Sequence, residues 1–244
     1  MPRALIIAAV SIWIVSSAQA GVGTGKEAVA KVRSAYPDLA VGLLEEMSSR
    51  AEVVYARLSA FFGRSLPQPI IIDLSDNYDF STSFPHINLI GFPRHIIESG
   101  MAVLAHEMAH LFMPERRSAV LSEGIAIYVQ DRFGMARGYP NFGIDVDELL
   151  MHRVGGIEGL RRISLLHAER TIAGHAGGRN RRTAYLMAGS FTRYLFDEIL
   201  KQDVAAFRRL YMRGEYAAET GKTLAALESA WRRHLGFDPA PAPL

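Results

Sequence analysis

Residues 106–110 read His106-Glu107-Met108-Ala109-His110, and thirteen positions past the second histidine stands Glu123, within Leu121-Ser122-Glu123-Gly124-Ile125-Ala126-Ile127-Tyr128. On a helix, residues four apart share a face, so the two imidazoles of HExxH can reach one cation. Glu107 then stands beside that cation, able to accept a proton from water. Chance alone would produce roughly 0.016 such matches in a chain of this composition. The flanks strengthen the reading. Met101, Leu104, Met108 and Leu111 form one apolar stripe, and Ala102, Ala105, Ala109 and Phe112 leave little surface that favours water. This predicts a buried helix, and burying two imidazoles and a carboxylate without partners is costly. A bound metal removes that cost. The plainer alternative is a pair of core histidines bonded to carbonyl groups.

A catalytic metal of this kind needs a third protein ligand and an open position for water. The pattern HExxHxxGxxH is excluded, because Met113 and Arg116 stand where it needs Gly and His. Glu123 opens or lies within the next helix, which can turn back antiparallel to the first. Gly124 and Ala126 are expected to let those two backbones approach, bringing Glu123 to the metal.

Working outward, the apolar spacing predicts a helix over 38–62 that stops at Gly63, and a buried strand over 69–74. A shorter strand is expected over 86–90, then helices over 99–112 and 118–133. Beyond Gly134 the chain reads as helical, over 145–153, 157–168, 182–201, 204–213 and 223–235. Short N-terminal strands beside the HExxH helix, followed by a mostly helical C-terminal half, make an α+β fold. The expected organisation is a signal peptide over 1–20, a linker over 21–37, an α+β unit carrying the metal site over 38–133, a helical subdomain over 144–236, and a tail over 237–244.

Residues 1–20 carry Arg3, an apolar run over 4–15 and Ala18-Gln19-Ala20, a small-x-small cleavage site. The run is shorter than the ~20 residues of a membrane span. Export to the periplasm or the exterior is expected, with an uncleaved N-terminal anchor as the variant of that reading. The chain of 244 residues has no cysteine, so disulfide scaffolds, iron–sulfur clusters and thiolate nucleophiles are excluded. A net charge of +2 gives no reason to expect nucleic acid. The cations are 23 Arg against 4 Lys, and pairs such as Arg161-Arg162 and Arg181-Arg182 read as solvated helix faces.

HEMAH followed by LSEGIAIY resembles the gluzincin zinc metallopeptidases, the peptidase MA-like family that includes thermolysin and the membrane-alanyl aminopeptidases. That resemblance implies a zincin-like fold and one Zn2+ per chain held by His106, His110 and Glu123. It implies Glu107 as general base and a peptide or protein as substrate. It also suggests that Tyr185, in AYLMAGSF with Gly189 following, donates a hydrogen bond to the oxyanion. Two positions depart from the family. Ile127 stands where thermolysin has an Asp that steadies a zinc-bound His, and Ser83–Asn88 lacks the aminopeptidases' amine-capturing Gly-x-Met-Glu-Asn. Residues 86–89 are still expected to offer an edge strand to an extended substrate, with His86 and His175 as further residues of the cleft. The rival to an enzyme is a zinc-binding scaffold on the same fold, without turnover.

Overall fold

The computed structural model describes residues 29–67, 69–114, 117–174 and 179–236. The signal-peptide reading of 1–20, the tail over 237–244 and His175 lie outside the described residues.

Ala30–Ser34 forms β1, which runs through the long helix α1 (Val41–Phe62) into β2 (Ile70–Leu74). β1 and β2 pair in parallel, Val32 opposite Ile72, with α1 as the crossover that parallel neighbours require. In β2, Ile70, Ile72 and Leu74 are fully buried while Ile71 and Asp73 are half-buried, the period of two expected for a strand. Then come β3 (Thr82–Phe84), a 3₁₀ turn (Pro85–Ile87) and β4 (Leu89–Phe92). The sheet order is β1-β2-β4-β3, with β4 parallel to β2 and β3 antiparallel to β4.

Two expectations change here. The segment over 30–34, read as part of a linker, is an edge strand. Its AKVRS composition hides this, because only Ala30 is buried while Val32 and Ser34 are half-buried between exposed Lys31 and Arg33. The strand expected over 86–90 starts at 89. Pro85 opens a 3₁₀ turn, and Asn88 closes it in the left-handed region at φ 53°, a conformation Asn tolerates better than most residues. Its amide nitrogen bonds the carbonyls of Pro67 and Pro69 and ties the turn to the start of β2.

The helices follow: α2 (Arg94–Glu98), α3 (Leu104–Phe112), α4 (Ala119–Phe133), α5 (Val146–Val154), α6 (Ile157–Arg161), α7 (Leu165–Ala173), α8 (Arg179–Tyr194), a π turn (Leu195–Ile199), α9 (Val204–Arg213), α10 (Tyr216–Thr220) and α11 (Leu224–His234). The helix expected over 99–112 begins only at Leu104, because Gly100 takes φ +69° and ends the short α2. The one expected over 157–168 is broken after Arg161, and Ser164 caps α7 by accepting from His167 N–H.

The fold is α+β. α4 is its central helix, with every residue from Val120 to Gln130 buried. Such all-round burial needs partners on several sides, and α3, α7 and α8 supply them, with α1 touching more lightly. One continuous apolar cluster joins the two segments expected as separate units. It runs from Leu58, Ile72 and Phe92 through Phe112 and Ile125 to Phe191, Phe207 and Trp231. Among the described residues no helix is long and apolar enough to cross a membrane.

Candidate metal centre

α3 carries His106 near its start and His110 near its end. Four residues of α-helix advance about 6 Å and turn about 400°, which leaves the two rings stacked on one side of the helix. Their centroids lie 5.1 Å apart and their planes cross at 81°. α4 runs antiparallel beside them: the early residue His106 meets Gln130 late in α4, while the late residue His110 meets Ser122 early in it. Between these two fixings stands Glu123. Its Oε2 is 3.2 Å from His106 Nε2 and 3.6 Å from His110 Nε2.

Donor atoms of all three residues lie within 4.8 Å of one another. The residues are 6%, 4% and 6% exposed in the order His106, His110, Glu123. Two donors each ~2.0–2.1 Å from a tetrahedral ion stand about 3.3 Å apart. The two Nε2–Oε2 separations are close to that edge length, with one carboxylate oxygen turned to both imidazoles. A buried group of this composition can hold a metal ion.

The electrostatics point the same way. Burial by itself would raise the Glu123 carboxyl, yet His110 and His106 together hold it well below the usual carboxylate range. Glu123 therefore presents an anion to the imidazoles.

The supporting residues were not legible in the sequence. The His106 amide is one of the N–H groups that a helix start leaves unsatisfied. It donates to Gln130 Oε1 at 3.1 Å, while Gln130 Nε2 donates to the Ala136 carbonyl. α4 thus carries a candidate ligand and fastens the start of α3 as well. The Ser122 hydroxyl lies 3.4 Å from His110 Nδ1, on the side of the ring away from Glu123. This is a polar partner for an imidazole where Ile127 offers none. Only the position of Ser122, next to the carboxylate, could have signalled it. A lone Gln on an apolar helix carries no such signal.

The expected role of Gly124 is corrected. A Cβ there would meet Thr192 Oγ1 at 1.9 Å and the Ala188 carbonyl at 2.5 Å, so this glycine admits α8 rather than α3. Gly189 does the same from the other side, against Ile127 and Val146.

Glu107 is also buried, at 6% exposure, in the helical position beside His106. Tyr185, on α8, is nine-tenths buried. Burial first, and then the negative charge of Glu123, push its phenol up to about 12, against the opposing pull of Arg181. It therefore stays protonated at neutral pH. Arg181 Nη2 donates to its oxygen at 3.4 Å, and the Tyr139 ring packs edge-on at 5.4 Å. His86 is exposed, on the 3₁₀ turn that packs near α3. β3, at the sheet edge, packs more closely against α3.

No protein-family model, no curated protein and no solved structure matches this chain.

Proposed function

We propose that the protein is an exported, zinc-dependent peptidase of the gluzincin type, with a zincin-like arrangement of sheet and active-site helix. The observation that carries this reading is the buried convergence of His106, His110 and Glu123, with Glu107 between the two histidines in sequence. Those three residues would hold the ion. When bound, zinc supplies a Lewis acid that polarises a carbonyl and lowers the pKa of water toward ~7.

The chain's own residues do the rest. Glu107 accepts the proton of the attacking water and later returns it to the leaving amine. Tyr185, kept neutral by its burial, donates its hydroxyl proton toward the oxygen that becomes negative in the transition state, where such a bond is worth most. Arg181 bonds the phenol oxygen as a donor, which leaves the phenol's own proton for that purpose. β3 pairs with β4 on one side only, so its outer edge can add an extended peptide as a further strand. It replaces residues 86–89 as the edge that would receive substrate.

Digestion of an unbiased peptide library, with and without chelator, tests the proposal. Chelator-sensitive cleavage restored by added zinc is the expected result. Stoichiometric metal with no cleavage of any peptide would instead identify a non-catalytic scaffold.

A further inference from the structure

The sequence presents Arg181-Arg182 as a solvated pair, and the folded chain uses the two residues otherwise. The Arg181 guanidinium lies 5.6 Å from the centre of the Tyr185 ring and 5.8 Å from that of Phe80. Phe80 belongs to the segment between β2 and β3, and Tyr185 to α8. Arg181 therefore touches a residue from the sheet side and one from the helical side. Phe80 is 66% exposed, and Tyr139 and Phe142, which pack edge-on to each other, are 37% and 38% exposed. Phe80 lies against the Arg181 cation itself, and Tyr139, edge-on to Tyr185, extends the aromatic surface to Phe142.

The position of Arg181 on α8 relates this surface to the candidate metal centre. Arg181, Tyr185, Ala188 and Thr192 recur at spacings of four, three and four, which is one continuous helix face. Its far end, Ala188 and Thr192, is in contact with Gly124, the neighbour of the ligand Glu123. Seven residues of helix separate Arg181 from Ala188, about 10 Å, or the length of about three residues of extended peptide.

Arg181 resembles Arg132, which also donates to a tyrosine hydroxyl and lies over two rings but whose tyrosine in turn bonds Asp197, and it differs from the ion-paired arginines. Arg94 pairs with Asp38 and Glu98, Arg193 with Asp145 and Asp147, Arg209 with Glu219 and Arg232 with Glu228. Arg181 bonds only the phenol oxygen and makes no direct ion pair with a carboxylate among the described residues, the Glu123 anion acting on it from beyond contact distance. A guanidinium has five N–H donors in a planar fork that fits a carboxylate with two parallel bonds. Stacking on two rings holds that fork in place while leaving donors unused. Its neighbours add to the positive field: Arg182 stacks on Phe142 at 4.9 Å and donates to the Pro140 carbonyl, and Arg153 donates to Thr183.

We propose that Arg181 is a specificity residue that binds a carboxylate of the incoming peptide, about three residues from the bond to be cut, beside the aromatic surface of Phe80, Tyr139 and Phe142. The proposal rests on the peptidase reading for its substrate class. An acidic side chain or a free C-terminus would present the same group.

The test uses the full chain carrying Glu107→Gln, loaded with zinc, so that peptides bind without turnover. Four heptapeptides with an uncharged N-terminal fluorophore are titrated by anisotropy. They carry one Asp or one Asn, each with a free or an amidated C-terminus. At least about tenfold tighter binding of carboxylate-bearing peptides over the Asn amide is expected. The Asp amide and the Asn acid separate side chain from terminus. Adding Arg181→Gln should erase that preference, so that all four peptides bind that variant alike, while Arg181→Lys should retain part of it. Equal binding of all four peptides with Arg181 intact, or no binding at all, overturns the proposal. So does an equal loss for all four in Arg181→Gln, which is what mere support of Tyr185 would give. Cleavage of the same peptides by the unmutated protein is scored separately. Cleavage without carboxylate preference sinks only this inference, and preference without cleavage sinks only the peptidase reading.

Discussion

In the proposed function Glu107 and the three candidate ligand residues have separable duties, and substitution can pull them apart. Glu107→Gln keeps the shape and the hydrogen-bonding capacity of the side chain but cannot take up a proton. Positioned acid–base groups contribute about 10²–10⁴-fold to rate. The variant should therefore lose turnover by at least about a hundredfold while its zinc content and circular dichroism remain those of the parent. Full activity in this variant would rule out the proposed general base. The candidacy of these residues was legible in the sequence, because HExxH on a helix fixes its own geometry. The partners that hold them were not. Gln130 and Ser122 reach His106 and His110 across the α3–α4 interface, and no spacing within one helix encodes a contact between two.

At the scale of elements, the close approach of α4 and α8 rests on Gly124. Ala at this position would gain up to about 1 kcal/mol of helix propensity. It would also press its methyl group into Thr192 and the Ala188 carbonyl, and overpacking of this kind costs about 1–3 kcal/mol. Overpacking wins, so Gly124→Ala should lower the denaturation midpoint and reduce zinc stoichiometry, since Glu123 is the adjacent residue.

A second element depends on charge. Asp145 caps α5, accepting from the N–H groups of Asp147 and Glu148, and pairs with Arg193 on α8 at 2.6 Å. The Arg193 hydrogen bond holds its carboxyl below the usual range, with the two capping N–H groups adding to the effect. A lowered folded-state value means that the stabilisation is present above the unfolded value of about 3.9 and disappears as pH falls through the lower, folded one. Loss of a cap costs about 1 kcal/mol, and the partly exposed ion pair adds little. Asp145→Ala should melt below the parent at pH 7, with the gap closing below about pH 4. The capping residues Ser118, Asp145 and Thr223 match the helix starts expected from the sequence. Breaks caused by a left-handed residue, at Asn88 and Gly100, were missed, because apolar spacing continues across them.

For the whole molecule, the candidate metal centre joins α3 to α4 in the middle of a single core, so an ion bound there should stabilise the entire chain. Binding to the folded state at a thousandfold excess over Kd contributes about 4 kcal/mol. For a chain of this size that corresponds to a drop of roughly 8–16 °C in Tm on chelation. His110→Ala should melt at a temperature insensitive to chelator and should contain no zinc by elemental analysis. If the parent protein melted identically with and without chelator while retaining no metal, the convergence of the three side chains would have to be explained as a hydrogen-bonded cluster instead. The single core draws on both sides of 134–143, with Leu58 and Phe112 before it and Phe191 and Trp231 after it.

By itself the sequence determined the α+β class, the long helix α1, the strand β2, the helix carrying His106 and His110, and the helix carrying Glu123. Each depends on periodicity or spacing within one segment, which local backbone geometry converts directly into a face. Tertiary structure alone decided that β1 joins the sheet, that β3 is the edge beside α3, and that Gly124 faces α8. It also decided that Gln130 fastens the start of α3 and that Arg181 lies among aromatic rings without a carboxylate partner. Those outcomes depend on which surfaces meet, and that is set by the packing of distant segments around one core rather than by any pattern along the chain.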